Sequence, residues 1–473
     1  MDEKFDVIVI GGGPGGTPAA MQLAASGKKV LLVEESGKLG GTCLFVGCIP
    51  SKIIKHAADE FARSMNKDST PEELKEALVQ TWKKIHQNMD RILNGRASAA
   101  KKHLDQTTVT FIDGTARFVS DYEVEINGNH YQFDNAIIAT GSHSFIPPVK
   151  GDGVQDVLTS EILFTQPSMP SSLLIIGGGP IGIEISQMLN KLLVKCTIIE
   201  LMPDLLSGLV EHEFAEGINK TLEDKGIDVH TSSSVQEINR VNGKMQTVYL
   251  DSEGKTESIV TDKVLVVTGK VPSVEELNLE ATTLEYDRDG LLVNEFLETN
   301  VPGIYAAGDV VSGGPKFAHT ATHETHIASN NILHGNHHTR DFNKNAWILF
   351  SDPEIAAAGY TEKEALDAGF DVVSGVYNYN VEAASQISGD TFGLLKFVVN
   401  RENQEILGVH LFINGADSLS GEASLIIANK LTLRDVAGTI HPHPSLTEAF
   451  GILALQMLSE HKLIFSPAQK VIN

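Results

Sequence analysis

The sequence predicts an α/β fold in which two Rossmann-like nucleotide-binding domains precede a C-terminal α+β domain. A glycine-rich turn between an apolar strand and a helical stretch occurs twice, in residues 5–34 and in residues 173–200. Near the C-terminus, the strand-like runs 393–399 and 406–411 are joined by the polar turn 400–404. Strands connected through helices favour a parallel sheet, whereas strands connected by a short polar turn favour antiparallel pairing.

Length and charge narrow the possible classes of protein. A chain of 473 residues is longer than one hydrophobic core usually serves, so two or three domains are expected. The net charge of −24 disfavours nucleic acid and anionic membranes as partners, and no apolar run is long enough to span a bilayer. Residues 1–5 do not resemble a targeting peptide. We therefore expect a protein of the cytoplasm, or of an organelle matrix if a presequence has been removed, that binds neither nucleic acid nor membrane.

The first glycine turn has the spacing of a βαβ dinucleotide unit. In such units the first two glycines let the backbone approach a pyrophosphate, and the third lets helix and strand pack closely. An acid at the end of the second strand accepts hydrogen bonds from a ribose. A tight turn before a helix is the alternative interpretation of the glycines alone. The residues concerned are Gly11, Gly13, Gly16 and Glu34.

The second turn repeats this spacing with Gly177, Gly179, Gly182 and Glu200. In both units the acid follows the first glycine by 23 residues, so two dinucleotides are expected. A carboxylate at the end of the second strand repels a 2′-phosphate, and residues 201–206 contain no Arg or Lys to offset it. NAD is therefore the expected nicotinamide cofactor.

Two later segments indicate that the first unit binds a flavin. Residues 136–141 and 303–309 each form an apolar strand, ending in a small-residue turn and in Asp309 respectively. Either segment alone is merely a strand. In this order they predict that the chain returns to the first domain from about residue 272, with Asp309 near the flavin.

Cys43 and Cys48 form the candidate redox pair. Three cysteines in the whole chain are too few for a structural disulfide framework. Five residues of regular helix would separate the pair by about 7.5 Å, beyond the roughly 4.4–6.8 Å that a disulfide spans, so a distorted segment is expected. Pro50 suits the first turn of a following helix, whose N-terminus would favour a Cys48 thiolate. Cys43 is then the more exposed sulfur, which exchanges with substrate. The alternatives are two buried thiols or half a zinc site.

The segment GGTCLFVGCIPSK, lying between the two glycine turns, resembles the class I pyridine nucleotide-disulfide oxidoreductases, and the resemblance spans the whole chain. It implies a homodimer with FAD and NAD as cofactors. The implied segments are an FAD-binding domain in residues 1–145 and 272–340, an NAD-binding domain in 146–271 and a dimerisation domain in 341–473.

Within that family, HPHPSLTEAF at 441–450 is similar to the C-terminal signature of the dihydrolipoamide dehydrogenases. The similarity implies that His443 and Glu448 form an acid–base pair, while His441 has no acid at the same offset. Imidazole titrates near neutral pH and suits deprotonation of a thiol. A surface histidine is the alternative. Pro444 is expected to begin a helix whose first turn holds Glu448, and the family places this pair in the partner subunit's active site.

The resemblance also implies that Lys52 and Glu184 pair beside the flavin, although Glu184 could simply stabilise a helix end. Three histidines, His319, His323 and His326, share one helix face, for which we expect flavin or interface contacts rather than a metal. The further expected FAD contacts are Gly41, Thr42, Lys52, Ala116, Thr140, Gly141, Ala318 and His319, and the further NAD contacts are Glu184, Val235 and Gly269.

The expected reaction is oxidation of dihydrolipoamide with reduction of NAD⁺. The chain has no lipoyl domain of its own, so a lipoyl-bearing protein of a 2-oxo acid dehydrogenase or glycine-cleavage complex is the expected partner. Phe45 and Lys270 depart from the usual Asn and Arg of the family, which leaves a different disulfide substrate open, as in glutathione reductase. Mercuric reductase is rejected because no cysteine follows Cys196. A non-catalytic flavoprotein scaffold remains the alternative outside enzymes.

Overall fold

The computed structural model describes residues 3–66 and 68–460. They belong to two compact units. The first contains the residues up to Leu201 and His230–Arg340, and the second contains Met202–Val229 and the residues from Asp341 onward. The division into four functional segments stays a prediction.

The strands are numbered in chain order. They are β1 Glu3–Ile10, β2 Val30–Glu34, β3 Thr110–Asp113, β4 Ala116–Ser120, β5 Glu123–Ile126, β6 Asn129–Ile138, β7 Ser142–Ser144, β8 Ser172–Ile176, β9 Lys195–Ile199, β10 Asp228–His230, β11 Ser234–Val241, β12 Lys244–Leu250, β13 Thr256–Thr261, β14 Lys263–Val266, β15 Lys270–Pro272, β16 Tyr286–Asp287, β17 Gly290–Leu291, β18 Ile304–Ala306, β19 Ala346–Leu349, β20 Ile355–Gly359, β21 Val372–Asn378, β22 Leu394–Asn400 and β23 Ile406–Phe412.

The α-helices follow the same convention. They are α1 Gly16–Ala25, α2 Gly41–Phe45, α3 Cys48–Ser64, α4 Pro71–Leu104, α5 Ser160–Leu163, α6 Pro180–Lys191, α7 His212–Asp224, α8 Ala318–His334, α9 Glu362–Asp367, α10 Ala383–Ser388, α11 Ala416–Ala428, α12 Leu433–Ala437 and α13 Glu448–Glu460. Among the described residues, no helix combines the length and the apolar character needed to cross a membrane.

The first sheet carries the first glycine turn. Its strand order is β3-β2-β1-β6-β5-β4, with β18 paired to β6. β1 pairs in parallel with both β2 and β6, and α1 connects β1 to β2. β18 runs parallel to β6, with Ile304 opposite Ala136. The predicted return of the later chain to the first sheet is therefore confirmed.

The second sheet carries the second glycine turn. β8 lies between β9 and β14 and is parallel to both, and α6 connects β8 to β9. A ribbon of β7 and β15 accompanies the two chain crossings between the sheets, with Ser144 opposite Lys270. The α/β class, with two parallel nucleotide units, is confirmed.

The second unit is built on an antiparallel sheet. Its strand order is β19-β20-β23-β22-β21, and β22 and β23 pair antiparallel as the polar turn predicts. Phe397, Val409 and Phe450 lie in its core, where α11 and α13 cover the sheet. α7 belongs to this unit, since the rings of Phe214 and Phe412 are 5.7 Å apart. The C-terminal domain is therefore α+β, as predicted.

Candidate active site

Sterics explain the glycines of the first turn. Gly11 has φ of 105°, and a Cβ there would lie 2.3 Å from the carbonyl oxygen of Ala139. A Cβ on Gly16 would lie 1.7 Å from the carbonyl oxygen of Gly11. Any side chain at either position would push the turn apart. Only glycine therefore fits at these two positions of the turn that joins β1 to α1.

The second turn repeats these contacts. Gly177 has φ of 118°, and a Cβ on Gly182 would lie 2.1 Å from the carbonyl oxygen of Gly177. The N–H of Gly177 donates to the carbonyl of Ile199 at 2.9 Å, as that of Gly11 donates to Val33 at 2.8 Å. The sequence repeat is thus a repeat of backbone geometry.

The two acids have a structural role that the motif did not predict. Glu34 Oε2 accepts from the N–H of Gly12 at 2.6 Å, and Glu200 Oε2 accepts from the N–H of Gly178 at 2.5 Å. Each carboxylate therefore holds the middle of its own glycine turn. The identical spacing of acid and glycine in the two units was the signal for it.

The helix starts at these turns fit dinucleotide phosphates. The N-cap residues of α1 and α6 are Gly15 and Gly179, and neither helix start receives a side-chain hydrogen bond at its cap. A Cβ on Gly179 would meet no atom within 4 Å. Backbone N–H groups at a helix start, next to an open space, suit a pyrophosphate. The residues present therefore fit both FAD and NAD.

The redox cysteines lie on either side of a helix break. Cys43 is in the single turn of α2, and Cys48 is the first residue of α3. Between them, a Cβ on Gly47 would lie 3.0 Å from the carbonyl oxygen of Thr42, so the chain passes close to itself there. Pro50 is buried in the first turn of α3. The expected distortion of this segment is present.

The two thiols differ in acidity. A hydrogen bond from Cys43, together with the Lys52 ammonium, lowers the pKa of Cys48 to about 7, although partial desolvation by the surrounding protein and the Glu184 carboxylate act in the opposite direction. The same hydrogen bond, together with burial and the charge of Cys48, raises the pKa of Cys43. Cys48 is therefore the thiolate of the pair.

One expectation about the cysteines is wrong. Cys48 is exposed and Cys43 is only partly exposed, whereas Cys43 was expected to be the more exposed sulfur. The reason is local: Cys48 lies at the open end of α3, while Cys43 lies within the α2 turn. Exposure therefore does not distinguish the exchanging thiol, and the electrostatic difference does.

Lys52 and Glu184 meet as an ion pair. Lys52 lies one turn after Cys48 on α3, and its Nζ is 2.6 Å from Glu184 Oε2 on α6. The Glu184 side chain is 12% exposed, so this pair is better shielded from water than an ordinary surface pair. It links the redox helix to the second nucleotide helix.

His443 and Glu448 form a two-oxygen contact in the second unit. His443 Nδ1 is 2.9 Å from Glu448 Oε1 and 3.1 Å from Oε2. The N–H of Ser445 donates to Glu448 Oε2, and this bond, followed by the contact with His443, lowers the pKa of Glu448. The carboxylate thus stays ionised, holds Nδ1 and leaves Nε2 of a 71% exposed imidazole to exchange protons.

The expectation that Pro444 begins the last helix is wrong. α13 begins at Glu448, not at Pro444. Residues 445–447 form a turn in which the N–H of Glu448 approaches the carbonyl of Ser445 at 3.4 Å. The Glu448 side chain accepts from the N–H of Ser445 and holds the turn that precedes the helix. His441 takes a separate partner, with Nε2 2.8 Å from Glu422 Oε1.

Asp309 and its neighbours occupy the end of β18. Asp309 Oδ2 accepts from Ser142 Oγ at 2.6 Å. The adjacent Gly308 N–H donates to Glu324 Oε2 at 2.6 Å. Burial raises the pKa of Glu324 to about 7. Sequence reasoning missed Glu324, because a single acid on a helix carries no signal of what its side chain faces.

The remaining predicted cofactor positions fall at ends of elements of the first unit. Thr140 Oγ donates to the carbonyl of Ser273 at 2.6 Å, and His319 stacks on Phe317 with ring centroids 5.4 Å apart. Their contacts with cofactors stay predictions. The other positions are Gly41 and Thr42 at the start of α2, Ala116 at the start of β4, Gly141 before β7, Val235 in β11, Gly269 before β15 and Ala318 at the start of α8.

The three histidines of α8 do not form a cluster with metal-holding geometry. Within residues 3–66 and 68–460, no group of three or more His, Cys, Asp or Glu side chains could hold a metal ion. His326 Nδ1 instead lies 2.7 Å from Gln22 Oε1 on α1.

Comparison with known proteins agrees with this geometry. Residues 5–325 match the pyridine nucleotide-disulphide oxidoreductase family, and residues 345–454 match the dimerisation domain of that family. A dihydrolipoyl dehydrogenase of Thermus scotoductus is 36% identical over 94% of this chain and 96% of its own. A mercuric reductase of Staphylococcus aureus is 30% identical over 96% of this chain and 82% of its own.

A solved structure shares the fold. The HOCl-induced flavoprotein disulfide reductase RclA of Escherichia coli superposes with a TM-score of 0.82 at 25% identity, over 95% of this chain and 99% of its own. The matches confirm the predicted cofactors, FAD and NAD, and the dimerisation domain supports a homodimer. The chain belongs to the pyridine nucleotide-disulphide oxidoreductase family.

Proposed function

We propose that this disulfide oxidoreductase oxidises dihydrolipoamide, carried on a lipoyl-bearing protein, and reduces NAD⁺ to NADH. The observation that carries the proposal is the His443–Glu448 contact at 2.9 and 3.1 Å. It provides the base that a dithiol substrate needs before it can attack a disulfide. Relatives named dihydrolipoyl dehydrogenase, at 36% and 34% identity, support the same substrate.

The two cysteines have different roles in the thiol chemistry. His443 Nε2 accepts the proton of one dihydrolipoyl thiol, and the resulting thiolate attacks Cys43 Sγ of the Cys43–Cys48 disulfide. The disulfide bond breaks and Cys48 leaves as a thiolate, which Lys52 stabilises. The second substrate thiol then attacks the mixed disulfide and gives up its proton, lipoamide leaves, and the departing Cys43 sulfur takes up that proton, while His443 returns the first proton to water. The pair has then gained two electrons.

The cofactors supply the remaining chemistry. A bound FAD would supply the transfer of the electron pair from the dithiol to NAD⁺. Gly11, Gly13 and Gly16 would hold the FAD pyrophosphate, and Gly177, Gly179 and Gly182 that of NAD. Glu200 would accept from the ribose hydroxyls of NAD while it holds its own turn through Gly178.

The active site is proposed to be shared between two copies of this chain. Cys43 and Cys48 come from one subunit, and His443 and Glu448 come from the other. Two observations support this arrangement: the dimerisation domain spans both residues of the pair, and the His443 side chain is 71% exposed on its own chain. An exposed base is available to complete a neighbouring site.

The substrate carrier is proposed to be a lipoyl protein of a 2-oxo acid dehydrogenase or glycine-cleavage complex. We propose that the reaction takes place in the cytoplasm, where thiols stay reduced and where a cysteine pair serves catalysis rather than structure.

A second candidate is the NADH-dependent reduction of a different disulfide. Phe45 favours it, since the ring lies two residues past Cys43 in place of the usual Asn, and the Lys38 ammonium is 5.8 Å from the ring centroid. A bulky, cation-bearing position beside the exchanging cysteine suits a different substrate. The likeness to RclA is in line with this candidate.

A steady-state assay decides between the two. FAD-loaded enzyme is given dihydrolipoamide with NAD⁺ in one arm, and NADH with glutathione disulfide in the other, with Cys43→Ser as the control. We expect NADH formation that depends on dihydrolipoamide and is lost in the control. Turnover of glutathione disulfide at a higher kcat/KM than dihydrolipoamide would reject the lipoamide assignment.

A further inference from the structure

A further ion pair joins the redox helix α3 to the second nucleotide helix α6. In addition to the Lys52–Glu184 pair, Lys191 Nζ lies 2.5 Å from Asp59 Oδ1. Asp59 Oδ2 also accepts from Lys55 Nζ, on its own helix, at 3.2 Å. Neither the glycine motif nor the cysteine motif predicts a role for Asp59 or Lys191.

The two pairs have equal spacing on both helices. Lys52 precedes Asp59 by seven residues on α3, and Glu184 precedes Lys191 by seven residues on α6. Seven residues correspond to about 10.5 Å of helix rise. Equal spacing on both sides means that the helices run parallel along this contact. A slide of one helical turn, about 5.4 Å, would break both pairs together.

The charges also alternate. α3 supplies the cation of the first pair and the anion of the second, and α6 supplies the opposite charges. A slide of seven residues would place Lys52 against Lys191, or Asp59 against Glu184, and both are repulsive. The charge pattern therefore specifies one register between the helices.

The Asp59–Lys191 ion pair is partly buried. Asp59 and Lys191 expose 23% and 19% of their side chains, so water screens their attraction less than it screens a surface pair. Lys191 also lies in the last turn of α6, where the helix dipole favours a cation.

We propose that Asp59 and Lys191 are positioning residues that hold α3 in register against α6 and thereby keep the Glu184 carboxylate against Lys52, beside Cys48. This rests on the proposed function only in that Cys48 is the thiolate next to the flavin. Neither residue touches the reacting atoms.

Loosening the contact between α3 and α6 should change the pKa of Cys48 in one direction. Lys52 is on the same helix as Cys48 and stays near it when the register loosens, whereas Glu184 is on α6 and moves away. Lys52 lowers the pKa of Cys48 and Glu184 raises it. A loosened register therefore lowers the pKa of Cys48.

The test is a pH titration of the Cys48 thiolate in Asp59→Asn and Lys191→Met. The FAD-loaded enzyme is reduced to the dithiol, and the long-wavelength absorption of a thiolate against flavin is followed with pH. We expect both variants to shift the midpoint downward, by roughly half a unit, less than the one to three units of a directly adjacent charge. A purely long-range charge effect predicts opposite signs, because one variant removes an anion and the other a cation.

Three further variants control the interpretation. Lys55→Met removes the same-helix partner of Asp59 and keeps the pair between helices, so it should not shift the midpoint downward. Asp59→Asn combined with Glu184→Gln should shift no further than Glu184→Gln alone, since both act through one carboxylate. The charge swap Asp59→Lys with Lys191→Asp, made in the Lys55→Met background, should restore the midpoint of that background.

The proposal would be overturned if Asp59→Asn and Lys191→Met shifted the Cys48 midpoint in opposite directions. It would also be overturned if the shift of Asp59→Asn added to that of Glu184→Gln in the double variant. If the wild-type enzyme showed no long-wavelength absorption, the assignment of Cys48 in the proposed function would fail separately. The rate of Cys48 alkylation by iodoacetamide against pH, measured for every variant in the Cys43→Ser background, then reports the same direction of shift relative to that background and still decides the register proposal.

Discussion

The two glycine turns share one backbone and differ in what surrounds it. Around the first turn, a Cβ on Gly15 would lie 3.3 Å from Ala139 Cβ and 3.6 Å from Thr325 Cγ2 of α8, and Thr322 Oγ donates to the carbonyl of Pro14 at 3.0 Å. In the second turn the position of Gly15 is taken by Ile181, which is 37% exposed. The first turn is therefore enclosed by α8, and the second is open.

The acids of the two turns, Glu34 and Glu200, differ in burial in the same way. Glu34 is buried and also accepts from the N–H and Oγ of Ser36 at 3.0 and 2.6 Å, whereas Glu200 is only partly buried. Pro18 on α1 corresponds in spacing to Glu184 on α6. An enclosed turn suits a cofactor that stays bound, and an open turn suits a cofactor that exchanges.

The largest contrast should come from enlarging the third glycine of each turn. Gly16→Val places side-chain atoms onto the carbonyl of Gly11 in an enclosed site, so it should cost well above the usual 0.5–3 kcal/mol of a substitution and abolish FAD retention. Gly182→Val should impair NAD binding and leave the protein yellow. Flavin content after gel filtration and the KM for NAD⁺ measure the two effects, with Gly95→Ala on α4 as the control.

Equal loss of flavin from both variants would mean that the two turns do not serve different cofactors. Loss of flavin from Gly182→Val alone would assign the cofactors the other way round.

Removal of the base should separate the thiol reaction from the nicotinamide reaction. His443→Gln should lower dihydrolipoamide turnover by about 10² to 10⁴, the range for a lost acid–base group, while flavin reduction by NADH survives. Rapid mixing with each substrate measures the two halves. His441→Gln is the matched control, since His441 pairs with Glu422 instead. Comparable losses in both half-reactions would contradict a role for His443 limited to the thiols.

Mixed dimers should recover activity if the site is shared. Chains of Cys48→Ser and His443→Gln, refolded together, form dimers in which one site has every wild-type residue. We expect dihydrolipoamide activity far above either parent. Differential tags verify that the mixed dimers exist, and verified mixed dimers with only parental activity would rule out a site built from two chains.

Removing the negative charge of Glu200 should weaken the preference of the second nucleotide site for NAD over NADP. Glu200→Gln keeps an oxygen that can accept from Gly178 and removes the charge that repels a 2′-phosphate. The ratio of kcat/KM for NADP to that for NAD should rise by roughly 10-fold or more, as a hydrogen bond to a charged group contributes about 1.5–3 kcal/mol. The same ratio in wild type and in Glu200→Gln would show that Glu200 does not select the cofactor.

The predictable parts of the molecule were those that local sterics or spacing determine. Gly11 and Gly16 are required by contacts within one turn, and the break between Cys43 and Cys48 follows from the length of five helical residues. The Asp59–Lys191 pair depends on how two distant helices pack, and the burial of Glu324 depends on α8 meeting Gly308. The N–H of Ser445 donates to the Glu448 side chain in the turn before α13, whereas the prediction placed the helix start at Pro444 on the preference of proline for a first helical turn.

The thiolate assignment is tested most directly by the long-wavelength absorption of the two cysteine variants. Cys43→Ser leaves Cys48 next to the flavin and should retain the absorption, which should grow with pH as the Cys48 thiol loses its proton. Cys48→Ser should lack it at every pH. Absorption in Cys48→Ser and none in Cys43→Ser would contradict the account, because Cys43 would then be the thiolate that meets the flavin.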